Sequence, residues 1–162
     1  MVDVGDDAPD FTVPLADGDV GSFTLSERLD EAPLVLAFFP AAFTGTCTNE
    51  MQTFRDKIAA FESVDATVYG LSIDTPFALN EFRRQNELNF PLLSDTNRAV
   101  VDKYDISMDF ASLGVDNVAK RAVFVVGSDG TVTYKWVSDD PGIEPNYEDV
   151  RAAAADAGGA AD

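Results

Sequence analysis

Residues 34–39 read Leu-Val-Leu-Ala-Phe-Phe, six consecutive apolar side chains with Pro33 before them and Pro40 after. A run of that length bounded by prolines is a strand, and a strand apolar at every position is buried on both faces. The chain must therefore supply a layer of structure on each side of the sheet that holds it.

The neighbouring segments supply those layers. Met51, Phe54, Ile58 and Phe61 recur at spacings of three and four, the period of one helix face. Residues 66–73 read as the next strand. Thr75 and Pro76 then offer an N-cap and a first helical position, predicting a helix through Asn86. A short strand is expected at 90–95 and a short helix at 97–104. Residues 121–137 form two β-rich runs around Ser128-Asp129-Gly130, a hairpin signal, and a smaller hairpin is expected around residues 16–19. A last helix should begin near Asn146, end at Gly158-Gly159 and fray before residue 162. Crossover helices followed by an antiparallel hairpin imply a mixed central sheet flanked by helices, with an N-terminal hairpin extension: an α/β, thioredoxin-like fold. With 162 residues, no internal repeat and no long linker, one domain over 1–162 is expected, its tail frayed from about 152.

Composition narrows the function. Eleven basic residues stand against 29 acidic ones, a net charge of −18. Such a surface repels nucleic acid and anionic membranes. Self-repulsion of this size weakens a compact state in dilute buffer and is screened by salt, which points to adaptation to high intracellular salt. No apolar stretch approaches the ~18 residues of a membrane span, and the acidic start lacks a secretory pattern, so a cytoplasmic protein is expected. With no His and one Cys there is no soft-ligand metal site and no internal disulfide, and no cofactor is called for.

The single cysteine, Cys47, follows the buried strand by a short loop and opens the Met51–Phe61 helix. Open α/β sheets bind ligands beyond such strand ends. A helix N-terminus presents unpaired N–H groups and partial positive charge, which favour a thiolate over a thiol. Free cysteines are also among the most buried residues, so spacing alone leaves a structural and a reactive Cys47 open. A dithiol mechanism needs Cys-x-x-Cys, and Thr44 occupies the partner position.

The stretch Pro40-Ala-Ala-Phe-Thr44-Gly-Thr-Cys47 resembles the Pro-x-x-x-Thr/Ser-x-x-Cys signature of peroxiredoxins. The resemblance extends over "VGDDAPDFTVPLADG", "LSIDTPFALNEF" and "KRAVFVVGSDGTV", and in detail "AFTGTCTNEMQTFRD" looks like the one-cysteine type related to alkyl hydroperoxide reductase E. It implies a thiol-dependent peroxidase with Cys47 as the attacking group, Thr44 holding the peroxide, Pro40 shaping and shielding the loop, and Arg121 contacting thiolate and peroxide. Glu50 resembles an acid that orients the arginine. Each residue has a plainer reading: Thr44 a helix cap, Pro40 a strand terminator, Arg121 a surface charge, Glu50 a first-turn acid. No second cysteine is present, so reduction must come from an external thiol or redoxin partner. A homodimer is implied by the resemblance. A peroxide sensor that passes its oxidation to a partner protein would use the same chemistry.

Overall fold

The computed structural model describes residues 2–160. Nine strands and four α-helices follow in the order β1 Thr12–Ala16, β2 Val20–Thr24, β3 Leu34–Phe38, α1 Gly45–Glu62, β4 Thr67–Ser72, α2 Pro76–Asn86, β5 Leu92–Ser94, α3 Ala99–Lys103, β6 Ser107–Phe110, β7 Val115–Ala119, β8 Arg121–Val126, β9 Val132–Ser138 and α4 Tyr147–Ala160. Seven strands make one sheet in the order β2-β1-β5-β4-β3-β8-β9. β3, β4 and β5 are parallel, and the others pair antiparallel.

The proline-bounded run is β3, the strand between β4 and β8, and all five of its residues are buried. Because side chains alternate across a strand, it feeds two cores. Leu34, Leu36 and Phe38 join Phe23, Tyr69, Val100, Tyr104 and Phe124 on one face. Val35 and Ala37 join Met51, Phe54 and Phe61 of α1, Leu79 and Phe82 of α2, and Val150 and Ala154 of α4 on the other. Each fully buried Leu or Phe contributes roughly 1.5–3 kcal/mol, so the demand for two covering layers is met by apolar burial on both faces.

Local signals set the boundaries. The Ala78 N–H donates to the Thr75 hydroxyl at 3.3 Å, capping α2 as expected. Gly18, at φ +110°, closes the first hairpin, and Gly130, at φ +82°, closes the β8–β9 hairpin. The expected strand at 90–95 is shorter, Leu92–Ser94.

Two features depart from the sequence reading. α4 runs through Gly158-Gly159 to Ala160 instead of ending at the glycines, because Val150 and Ala154 lock it onto the core and packing outweighs propensity. The tail expected to fray from about 152 is helical as far as Ala160, and residues 161–162 lie outside the described residues. A separate two-stranded ribbon, β6–β7, also stands where no strand is expected; its residues are largely exposed or half-buried, so they carry little apolar pattern. Among the described residues, no helix is long and apolar enough to cross a membrane.

Candidate active site

β3 ends at Phe38, and the loop 39–44 carries the chain to α1. Asp74 fastens this loop. Its carboxylate accepts the Ala42 N–H at 2.8 Å and the Ser72 hydroxyl at 2.6 Å. Its carbonyl accepts the Ser94 hydroxyl at 2.6 Å, so the ends of β4 and β5 share the anchor. Phe43 holds φ +70°, uncommon for a bulky residue, with its half-exposed ring edge-on to Phe82 at 5.3 Å. Sequence reasoning missed Asp74, although a Ser-x-Asp just before a Thr-Pro helix start is a visible turn signal.

Thr44 is the residue before α1 in extended conformation, but its hydroxyl does not cap the helix. It turns back and donates to the Ala41 carbonyl at 2.8 Å. Cys47 is the third residue of α1, in the turn whose N–H groups lack intrahelical acceptors. It is 1 % exposed, so the sulfur sits just beneath the surface.

Arg121 is no surface charge. It is 1 % exposed, and its guanidinium is held on three sides. Nη1 donates to Glu50 Oε1 at 2.7 Å; Nη2 donates to Cys47 Sγ at 3.2 Å and to the Pro141 carbonyl at 2.7 Å. Strand register makes this possible. Phe38, at the end of β3, lies opposite Ala122, and Arg121 shares a face with Val123 and Val125, the face covered by α1.

Glu50 is fully buried one turn after Cys47. Burial pushes its carboxyl up to about 7; the Arg121 guanidinium beside it opposes that shift, and Glu144 adds to it. Burial by itself would lower Arg121, but the charges of Glu50 and Cys47 outweigh it and hold the guanidinium above its ordinary value. Glu50 Oε2 and Arg121 Nε find no hydrogen-bond partner among the described residues.

Thr44, Cys47 and Arg121 line one open depression of ≈ 260 Å³, whose wall also includes Gly45, Thr46, Phe110, Pro141 and Gly142. Pro40 is buried where the chain leaves β3 and forms no part of that wall. A larger depression of ≈ 490 Å³ lies along α2 near Phe77 and Arg83, away from the cysteine. Phe110 and Pro141 escaped the sequence reading because one sits on the unforeseen ribbon and the other reaches the site from a loop, where it offers Arg121 a backbone carbonyl and the cavity an apolar surface. A sulfur at a helix N-terminus, touched by a buried guanidinium and open to a small cavity, is placed where it can meet a small electrophile.

Comparison with known proteins agrees with this chemistry. Residues 4–135 match the family model described as AhpC/TSA family. Alkyl hydroperoxide reductase E of Mycobacterium tuberculosis is 34 % identical over 136 residues, covering 83 % of this chain and 84 % of that protein. A chloroplastic 2-cysteine peroxiredoxin of Chattonella marina var. antiqua is 33 % identical over 144 residues, covering 84 % and 71 %. The crystal structure of peroxidoxin BcpB from M. tuberculosis superposes with a TM-score of 0.83 at 30 % identity, covering 95 % of this chain and 97 % of that one. A family match over most of the chain, on a fold that buries an arginine against its only cysteine, makes this protein a peroxiredoxin of the AhpC/TSA family.

Proposed function

We propose that the protein is a one-cysteine, thiol-dependent peroxidase in which Cys47 is the attacking group. The observation that carries this reading is the 3.2 Å contact between Arg121 Nη2 and Cys47 Sγ at the first turn of α1. The thiolate of Cys47 attacks one peroxide oxygen. An S–O bond forms as the O–O bond breaks, two electrons pass from sulfur to the peroxide, and the departing oxygen takes a proton to leave as water or an alcohol. Charge moves from sulfur onto the leaving oxygen, so donors are needed along the whole O–O axis. Arg121 presents a planar fork toward the sulfur and the cavity. Because the Thr44 hydroxyl spends its proton on Ala41, Thr44 meets the peroxide as an acceptor, holding its O–H end. Glu50 and the Pro141 carbonyl hold Arg121 in place. Pro40 shapes the loop from below.

Cys47 leaves this step as a sulfenic acid. The chain holds no second cysteine, so an external thiol or redoxin condenses with it, releasing water, and a second thiol then attacks the mixed disulfide, freeing Cys47 as its thiolate while the two donor sulfurs leave as a disulfide. The protein works in the cytoplasm as a homodimer. Stopped-flow oxidation of the reduced protein tests the assignment: Cys47 should react with hydrogen peroxide orders of magnitude faster than a free thiol, and a bulk-thiol rate would sink it.

A further inference from the structure

Phe110 reaches the cavity from outside the main sheet. β6 and β7 pair only with each other, and their register shifts: Met108 lies opposite Val118, but Phe110 lies opposite Val115. The extra residue falls on β7, where Asn117 takes φ +56° and its N–H donates to the Asp109 carboxylate at 3.1 Å. Such bulges re-aim side chains. This one accompanies a half-buried Phe110 in the wall of the ≈ 260 Å³ depression beside Cys47 and Arg121, with Pro141 as the other large apolar member.

The smallest peroxide does not need that space. A water molecule takes about 30 Å³, and hydrogen peroxide is only two oxygens long. Arg121 Nη2 meets the sulfur at 3.2 Å, and Phe110 and Pro141 give the same cavity two large apolar surfaces, which favour carbon. Charge limits which carbon. Asp109 next to Phe110 and Asp140 next to Pro141 are exposed, while the neighbouring cation Lys120 is engaged by Asp139 at 2.7 Å. With −18 overall, an approaching anion is repelled.

We propose that Phe110 is a specificity-determining residue, and that it selects uncharged hydroperoxides carrying a compact apolar organic group. The inference rests on the peroxidase reading. Its test compares second-order rate constants for Cys47 oxidation by cumene hydroperoxide and by hydrogen peroxide, and, in the unmodified protein, by a short hydroperoxy carboxylate and its methyl ester. Phe110→Ala should lower the cumene-to-hydrogen-peroxide ratio about tenfold, the scale on which a small apolar contact discriminates. If the alanine variant loses its fold, Phe110→Leu carries the same test with a drop of about threefold. The ester should outpace the carboxylate several-fold at the lowest KCl that preserves the native circular dichroism, and the gap should close in molar KCl. A ratio untouched at Phe110, or a carboxylate as fast as its ester in low salt, overturns the proposal. A Cys47 inert to every peroxide overturns the peroxidase reading instead.

Discussion

Arg121 and Cys47, 74 residues apart in the chain, meet at 3.2 Å through a single guanidinium nitrogen that also donates to the Pro141 carbonyl at 2.7 Å. One nitrogen of the fork is thus shared between sulfur and backbone while the other is tied to Glu50. A lysine ammonium carries its donors on one nitrogen at the end of a flexible stem, so it cannot reproduce two fixed nitrogens aimed at separate partners. Arg121→Lys should keep the positive charge yet slow Cys47 oxidation roughly 100- to 1,000-fold, the usual loss on removing a preorganised donor. The measurement is stopped-flow oxidation with far-UV circular dichroism as a control. A loss under threefold would mean that charge alone suffices.

Cys47 has no resolving partner in the chain, so its sulfenic acid waits for a thiol from solution. Excess hydrogen peroxide with limiting reductant should carry it on to the sulfinic acid, with progressive inactivation and the mass of two added oxygens on the Cys47 peptide. Cys47→Ser should show neither turnover nor the mass shift. Undiminished turnover under those conditions would point to a protected intermediate.

The carboxyl of Glu50 is raised from 4.5 to about 7, chiefly by burial, so the folded state binds its proton more tightly than the unfolded chain does. Glu50 therefore favours folding fully below about pH 4.5, and the advantage is lost as pH rises through about 7. Glu50→Gln keeps a neutral side chain at every pH. In urea titrations, the difference in stability between wild type and variant should therefore grow in favour of the variant from about pH 4.5 to above 7, by an amount on the order of a few kcal/mol. A pH-independent difference would mean that the Arg121 ion pair keeps Glu50 charged throughout.

Net charge makes its own prediction. At −18 the compact state repels itself, so folding and activity should improve from dilute buffer to molar KCl, with the thermal midpoint rising by several degrees or more. Equal stability in both would refute adaptation to salt, and sodium sulfate at matched ionic strength separates charge screening from stronger apolar burial.

Contiguous features of this molecule were legible in its sequence. The six-residue apolar run declared β3, the spacing of Met51, Phe54 and Phe61 declared α1, and Cys47 lies at their junction. Arg121 was different: at the head of a strand it reads as a solvated charge, and only family resemblance singled it out. Its burial depends on antiparallel pairing of β8 with β3, a long-range fact that local pattern does not contain. Thr44 is legible as a residue of the loop, and its plainer reading as a cap fails because its hydroxyl donates to the Ala41 carbonyl instead of accepting a helix N–H. The ribbon that holds Phe110 was invisible because neither of its strands has a consistently buried face.

The placement of Arg121 has a consequence for what mutation can do to this protein. Odd-numbered residues of β8 face α1 and even-numbered ones face the opposite core, so the arginine reaches the sulfur by parity. Losing one residue within β8 between Arg121 and Val123 would point the guanidinium away from Cys47 and leave every residue of the site chemically intact. Loss of Ala122 and Val123 together would restore the facing but draw Arg121 along the strand, away from the end of β3. Within that stretch the enzyme is protected from length change more stringently than from substitution, and its reading frame of faces is as much a part of the active site as the cysteine.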